Sequence, residues 1–134
     1  MAHQTFFKHD MPTRVEAKRD AKREAERHQR DVHRQVDQRE RYRCRICGRP
    51  CDPAAADLLR RGHHHHVTFR SQGGEDSTAN EILTCADCHA SIHAGKVHVE
   101  GNADVALTIS ERHHETGEWF VVRQELAPRV YEHD

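Results

Sequence analysis

With 134 residues, 35% of them hydrophobic and 32% charged, the chain has room for one modest domain but little apolar material for a self-sufficient core. A structural metal would help it fold. No run approaches the roughly 18 apolar residues of a membrane span, and MAHQTFFKHDMPTR lacks the apolar centre of a secretory leader. The expected setting is therefore the cytoplasm, with no membrane partner.

Net charge is -1 with histidines neutral, but the distribution is uneven. Residues 13–43 hold eleven Lys/Arg and seven Asp/Glu, a net of +4; residues 44–134 hold nine and fourteen, a net of -5. A basic arm on an acidic body suits a polyanionic partner, and it equally suits a plain solvated helix.

Residues 1–42 read as a leader followed by a charged basic helix. From Met11 to about Arg41 there is no glycine, strong helix formers run throughout, and Pro12 suits a first helical turn. The apolar stripe is thin (Val15, Ala17, Ala21, Ala25, Val32, Val36), so the helix would pack weakly and project, or pair with a partner. Residues 43–96 form the expected central unit. Asp52-Pro53 would start a short helix to Arg61, His65–Arg70 reads as a strand, and residues 71–80 form a turn-rich loop. Ile82–Thr84 reads as a short strand and Asp87–Ala94 as a short helix closed by Gly95. Residues 97–134 predict a β-hairpin extension of two or three antiparallel strands, with Trp119 and Phe120 in its core.

Cys44-x-x-Cys47 and Cys85-x-x-Cys88 are separated by 37 residues. In a reducing compartment, five cysteines favour metal over disulfides. Two residues between ligands let both thiolates reach one ion, and four thiolates close a tetrahedral Zn²⁺ shell. Such a shell keeps no open position, so it would hold the fold and hydrolyse nothing. Cys51 is the bystander.

Histidines follow directly. His89 and His93 stand four apart on one helix face, while His63-His64-His65-His66-Val67 opens a strand and Asn80 closes the loop after it. A strand and a helix sharing a zinc staple bring imidazoles together. Metal ligands plus one free imidazole are what phosphodiester hydrolysis needs.

Over residues 44–95 this pattern of CxxC, His65-His66-Val67, Asn80 and CxxCHxxxH resembles the HNH endonuclease family. The resemblance implies a ββα-metal fold, hence an α+β protein, and cleavage or nicking of double-stranded DNA. It implies His65 and His89 as ligands of a catalytic divalent metal, with His93 a third in versions that use one. Mg²⁺, Mn²⁺, Ni²⁺ and Zn²⁺ all fit. It implies His66 as general base and Asn80 as a brace for the strand carrying it. Small free-standing chains of this kind resemble phage or mobile-element enzymes. Arg70 would reach a phosphate, whereas His63, His64, His98, His113, His114 and His133 read as surface residues. A one-site monomer would nick, and a two-fold homodimer would cut both strands. The competing functions are a catalytically silent zinc module that binds DNA or a protein, and an assembly protein that oligomerises through the long helix.

Overall fold

The computed structural model describes residues 11–125; His133 lies outside them. Helix α1 spans Arg14–Glu40. It starts after Thr13 rather than at Pro12, because Thr13 and Glu16 close a capping box. The Thr13 hydroxyl accepts from the Glu16 amide at 3.2 Å, and the Glu16 carboxylate accepts from the Thr13 amide at 2.8 Å. At its other end Arg41 and Tyr42 both adopt φ 55°, an unusual left-handed pair of non-glycine residues. Residues 14–28 are exposed throughout, and burial begins with Val32, Val36, Asp37 and Glu40. The helix therefore projects over its first half and is anchored over its second.

Strand β1 (His63–His66) pairs antiparallel with β2 (Glu81–Thr84), setting His66 opposite Glu81 and His65 opposite Ile82. β1 starts earlier than expected and stops at His66, because Asn80 captures the backbone just beyond it, as described below. Helix α2 (Ala86–His93) follows, its N-terminus capped by the Cys85 sulfur and its exit turned by Gly95 at φ 72°.

All four residues of β2 are buried, so its alternation feeds two cores. Leu83 joins Val32, Val36, Cys44, Cys51 and Cys85 on the α1 side. Ile82 joins Ile92, Val99, Ala103, Leu107 and Ile109 on the α2 side. The helix expected at 52–61 does not form. Asp52 and Asp57 turn their carboxylates onto the amides of Ala54 and Leu59, and the Arg61 guanidinium takes the carbonyls of Ala55 and Ala56. Those local bonds compete with a helical ladder.

The C-terminal part forms three antiparallel strands, of the two or three expected there. β3 (Val97–Asn102), β4 (Ala106–Arg112) and β5 (Trp119–Glu125) form an antiparallel sheet in that order. Its core comes from Val99, Leu107 and Ile109, so Trp119 and Phe120 are not core residues. They are 47% and 46% exposed, beside exposed Val121 and Val122.

One buried charge ties these parts together. Arg45 is 0% exposed and donates to Glu40 of α1 at 2.8 Å, to Glu125 of β5 at 2.7 Å, and to the Ala103 carbonyl at 3.1 Å. Burial works against its charge, but the two carboxylates outweigh it and hold the guanidinium above its ordinary value. Arg45→Met should destabilise the fold by about 3–5 kcal/mol, because two buried carboxylates would lose their shared cation, leaving Glu40 with Arg39 at 2.9 Å and Glu125 with Arg123 at 3.2 Å. Urea unfolding measures this directly, and a loss under about 1 kcal/mol would show that the triad contributes little.

Candidate metal centres

The sulfurs of Cys44, Cys47, Cys85 and Cys88 all lie within 4.8 Å of one another. Cys47 Sγ and Cys85 Sγ are 3.7 Å apart, far beyond a disulfide's ~2.05 Å. Metal–sulfur bonds of about 2.3 Å in a tetrahedron imply a sulfur–sulfur edge of roughly 3.8 Å, so the donor set fits one ion. Burial, with the neighbouring Cys44 and Cys85, pushes the Cys88 thiol up; a cation offsets that cost by stabilising the thiolates. Arg49, paired with Asp87 at 2.8 Å, bridges the two knuckles on the outside. Cys51 stays outside the quartet within the apolar core, its thiol pushed up to about 12 by burial first and then by nearby Cys44, Cys85 and Cys47.

A second cluster joins β1 to α2. Ring nitrogens of His65, His89 and His93 converge within 4.8 Å, and Nε2 of His89 lies 3.1 Å from Nε2 of His93. Metal–nitrogen bonds of about 2.0–2.1 Å imply nitrogen spacings of roughly 2.9–3.4 Å, so these imidazoles fit a shared ion. Burial, with help from His89, His93 and His66, lowers the pKa of His65 to about 4. Burial likewise lowers that of His89, with His63 and His93 adding to it. Both rings therefore keep a free lone pair near neutral pH. The exposed edge of His93 leaves the cluster open to solvent.

Asn80 does not approach this cluster. Its side chain accepts from the Thr68 amide at 2.8 Å and donates to the carbonyls of Thr68 and Glu75 at 3.0 and 2.9 Å. Its carbonyl accepts from the Val67 amide at 2.7 Å. The loop is stitched shut directly behind His66. Gly74 permits this closeness, since a Cβ there would sit 1.8 Å from the Thr68 carbonyl oxygen.

His66 lies outside the imidazole cluster. Strand alternation turns it to the α1 face, where its Nε2 is 2.7 Å from Asp76 Oδ1 and 3.6 Å from Glu81 Oε1. Those three residues form a third group of donors within 4.8 Å. Arg70 is likewise engaged, donating to the same Asp76 oxygen at 2.8 Å. The reading of His63 and His64 as surface residues fails. His63 stacks on His89 at 4.6 Å, and His64 bonds Asp37 at 2.7 Å while stacking on His33 at 3.8 Å. Histidines 98 and 114 are exposed as expected, and His113 is half-buried. Asp76, Glu81 and His33 were missed because a loop aspartate, a strand glutamate and a helix histidine carry no spacing signature.

Residues 44–95 match the family model for HNH endonucleases. No curated protein and no solved structure matches the chain. Among the described residues no helix is long and apolar enough to cross a membrane.

Cys44→Ser should cost the chain one tightly held metal ion and its cooperative unfolding transition, whereas Cys51→Ala should keep both. Metal-to-protein ratios after desalting, with thermal melts, test the pair. Loss of metal from Cys51→Ala would make it a ligand.

Proposed function

We propose that the HNH segment is a metal-dependent endonuclease for double-stranded DNA. In this reading Cys44, Cys47, Cys85 and Cys88 hold a structural Zn²⁺, and His65, His89 and His93 hold a catalytic divalent ion such as Mg²⁺, Mn²⁺, Ni²⁺ or Zn²⁺. The observation that carries the reading is the convergence of three imidazoles from a strand and a helix, with His66 next in the chain.

A phosphodiester resists hydrolysis because its charge repels the nucleophile and its alkoxide leaves poorly. A divalent ion held by His65, His89 and His93 would supply positive charge to offset both the phosphate's repulsion and the charge on the leaving alkoxide. His66 takes a proton from water, the water oxygen bonds to phosphorus, and the bond to the 3′ oxygen breaks. That oxygen then takes a proton from solvent, leaving a 5′ phosphate and a 3′ hydroxyl. Asn80 acts by holding the backbone on either side of the loop, so that His66 keeps its place. The exposed cations of α1 would grip phosphates beyond the cut.

Supercoiled plasmid should become open circles or linear DNA with an added divalent ion and stay intact in EDTA. His66→Ala should lose a hundredfold or more of this activity while keeping its metal and its melting temperature. Wild-type cutting by His66→Ala would end the assignment. No cutting by the wild type with any ion would favour the silent binding module.

Replacing Lys18, Arg19, Lys22 and Arg23 by alanine should weaken DNA binding and leave the unfolding transition unchanged. The slope of log K against log[salt] should shrink by about 0.9 for each phosphate that the helix no longer neutralises. An unchanged slope in a salt titration would make the projecting half of α1 a solvated arm.

A further inference from the structure

The carboxylates around His66 are arranged in a way that the proposed reaction has not used. Asp76 reaches it from the loop and Glu81 from the facing strand, and both approach the same ring nitrogen, Nε2. Glu81 is 0% exposed, and its Oε2 is buried with no hydrogen-bond partner among the described residues. Burying a carboxylate is costly unless donors or positive charge compensate it. The groups facing its side chain are two imidazoles, His33 at 3.1 Å and His66 at 3.6 Å. Arg39 donates to its backbone carbonyl at 2.6 Å. Asp76 is bound by His66 and Arg70 together.

Helix α1 holds both residues from behind, Glu81 by its carboxylate and Asp76 by its backbone. His33 Nε2 meets Glu81 Oε1, and five residues earlier His28 Nε2 meets the Asp76 backbone carbonyl at 2.8 Å. His64, the other β1 residue on this face, is fixed by Asp37 of the same helix. The anchored half of α1 is thus built onto the strand and loop that surround His66.

We infer that Asp76 and Glu81 form a carboxylate clamp on Nε2 of His66, making them positioning residues for the base, with α1 as the backing of the clamp. This rests on His66 being that base. An ionised carboxylate only accepts hydrogen bonds, so the nitrogen it faces carries the ring's proton. The lone pair that takes the proton from water is then on Nδ1. As the ring becomes an imidazolium, the two carboxylates stabilise the new charge, and Nε2–H stays where it was. Asp76 Oδ1 already accepts from both His66 and Arg70, so the group works as a hydrogen-bonded network and not as a further metal site.

The test uses Asp76→Asn and Glu81→Gln in the full chain, measuring plasmid cleavage, metal content, melting temperature and the histidine ring ¹⁵N signals. A neutral amide can still accept from Nε2–H through its oxygen, but it brings no negative charge to stabilise the imidazolium that forms when His66 takes its proton. Each variant should lose tenfold or more in kcat, with KM changed less than about threefold and the metal content unchanged. In the wild type the neutral His66 ring should give the signals of the Nε2–H tautomer, and an Nδ1–H ring would overturn the clamp. In a His66→Ala background neither substitution should reduce the residual rate further, since both act through His66.

Wild-type kcat in both variants, with His66→Ala inactive, would overturn the clamp and leave the base assignment standing. Faster cleavage by Asp76→Asn would overturn it too, by showing that Asp76 blocks the phosphate. Loss of a bound metal equivalent from either variant would make the group a metal site instead. Activity lost only in step with melting temperature would reduce both residues to structural roles. Wild-type cutting by His66→Ala would remove the base reading itself.

Discussion

A guanidinium with no exposed surface must have all its partners inside the fold. Arg45 sits between the two cysteines of the first knuckle, and its partners come from α1, from the end of β5 and from the turn at Ala103. Its own backbone amide donates to the Leu83 carbonyl of β2 at 2.8 Å, and its carbonyl accepts from Arg123 at 2.7 Å. Four parts of the chain, three of them distant in sequence, are thereby referred to one residue. Misplacing any of them strands a buried charge, so the ion triad discriminates against alternative packings as well as holding this one. The cysteine quartet is built on the same frame, with Arg45 lying between its first two members.

Strand β2 divides the work between two faces. Its alternation sends Ile82 toward α2 and the C-terminal sheet, and Leu83 toward α1. β1 opposes it with His65 on the first side and His64 and His66 on the second. The imidazole cluster and the carboxylates around His66 therefore engage adjacent residues of β1, His65 and His66, from its two faces. Asn80 sits where this arrangement is most easily lost, just beyond the last paired residue, and replaces the missing ladder bonds with its own.

Much of this was legible in the sequence because the chemistry there is periodic. Paired CxxC motifs, histidines at a helical spacing of four, and the order from His66 through Asn80 to His89 located the knuckles, the hairpin and α2. What was not legible depends on contacts between segments far apart. Thr13 and Glu16, rather than Pro12, start α1 because a two-way cap satisfies more amides than a favourable φ does. The turns at 52–61 follow from two aspartates that find their own backbone. His63 and His64 look like surplus polar residues until α2 and α1 cover them. Trp119 and Phe120 look like core by composition, yet β3 and β4 had already filled the space. The carboxylates that face His66 were invisible for the same reason, since only the fold puts residues 28, 33, 76 and 81 beside residue 66.

The division of α1 into a free half and an anchored half makes it a rigid coupling. A continuous helix turns about 100° and rises about 1.5 Å per residue, so any domain fused in helical register ahead of Arg14 would be held at an angle set by residue count. Adding or removing one residue would swing that domain around the axis without disturbing the hairpin. The same chain thus offers a goniometer whose settings are written in single codons.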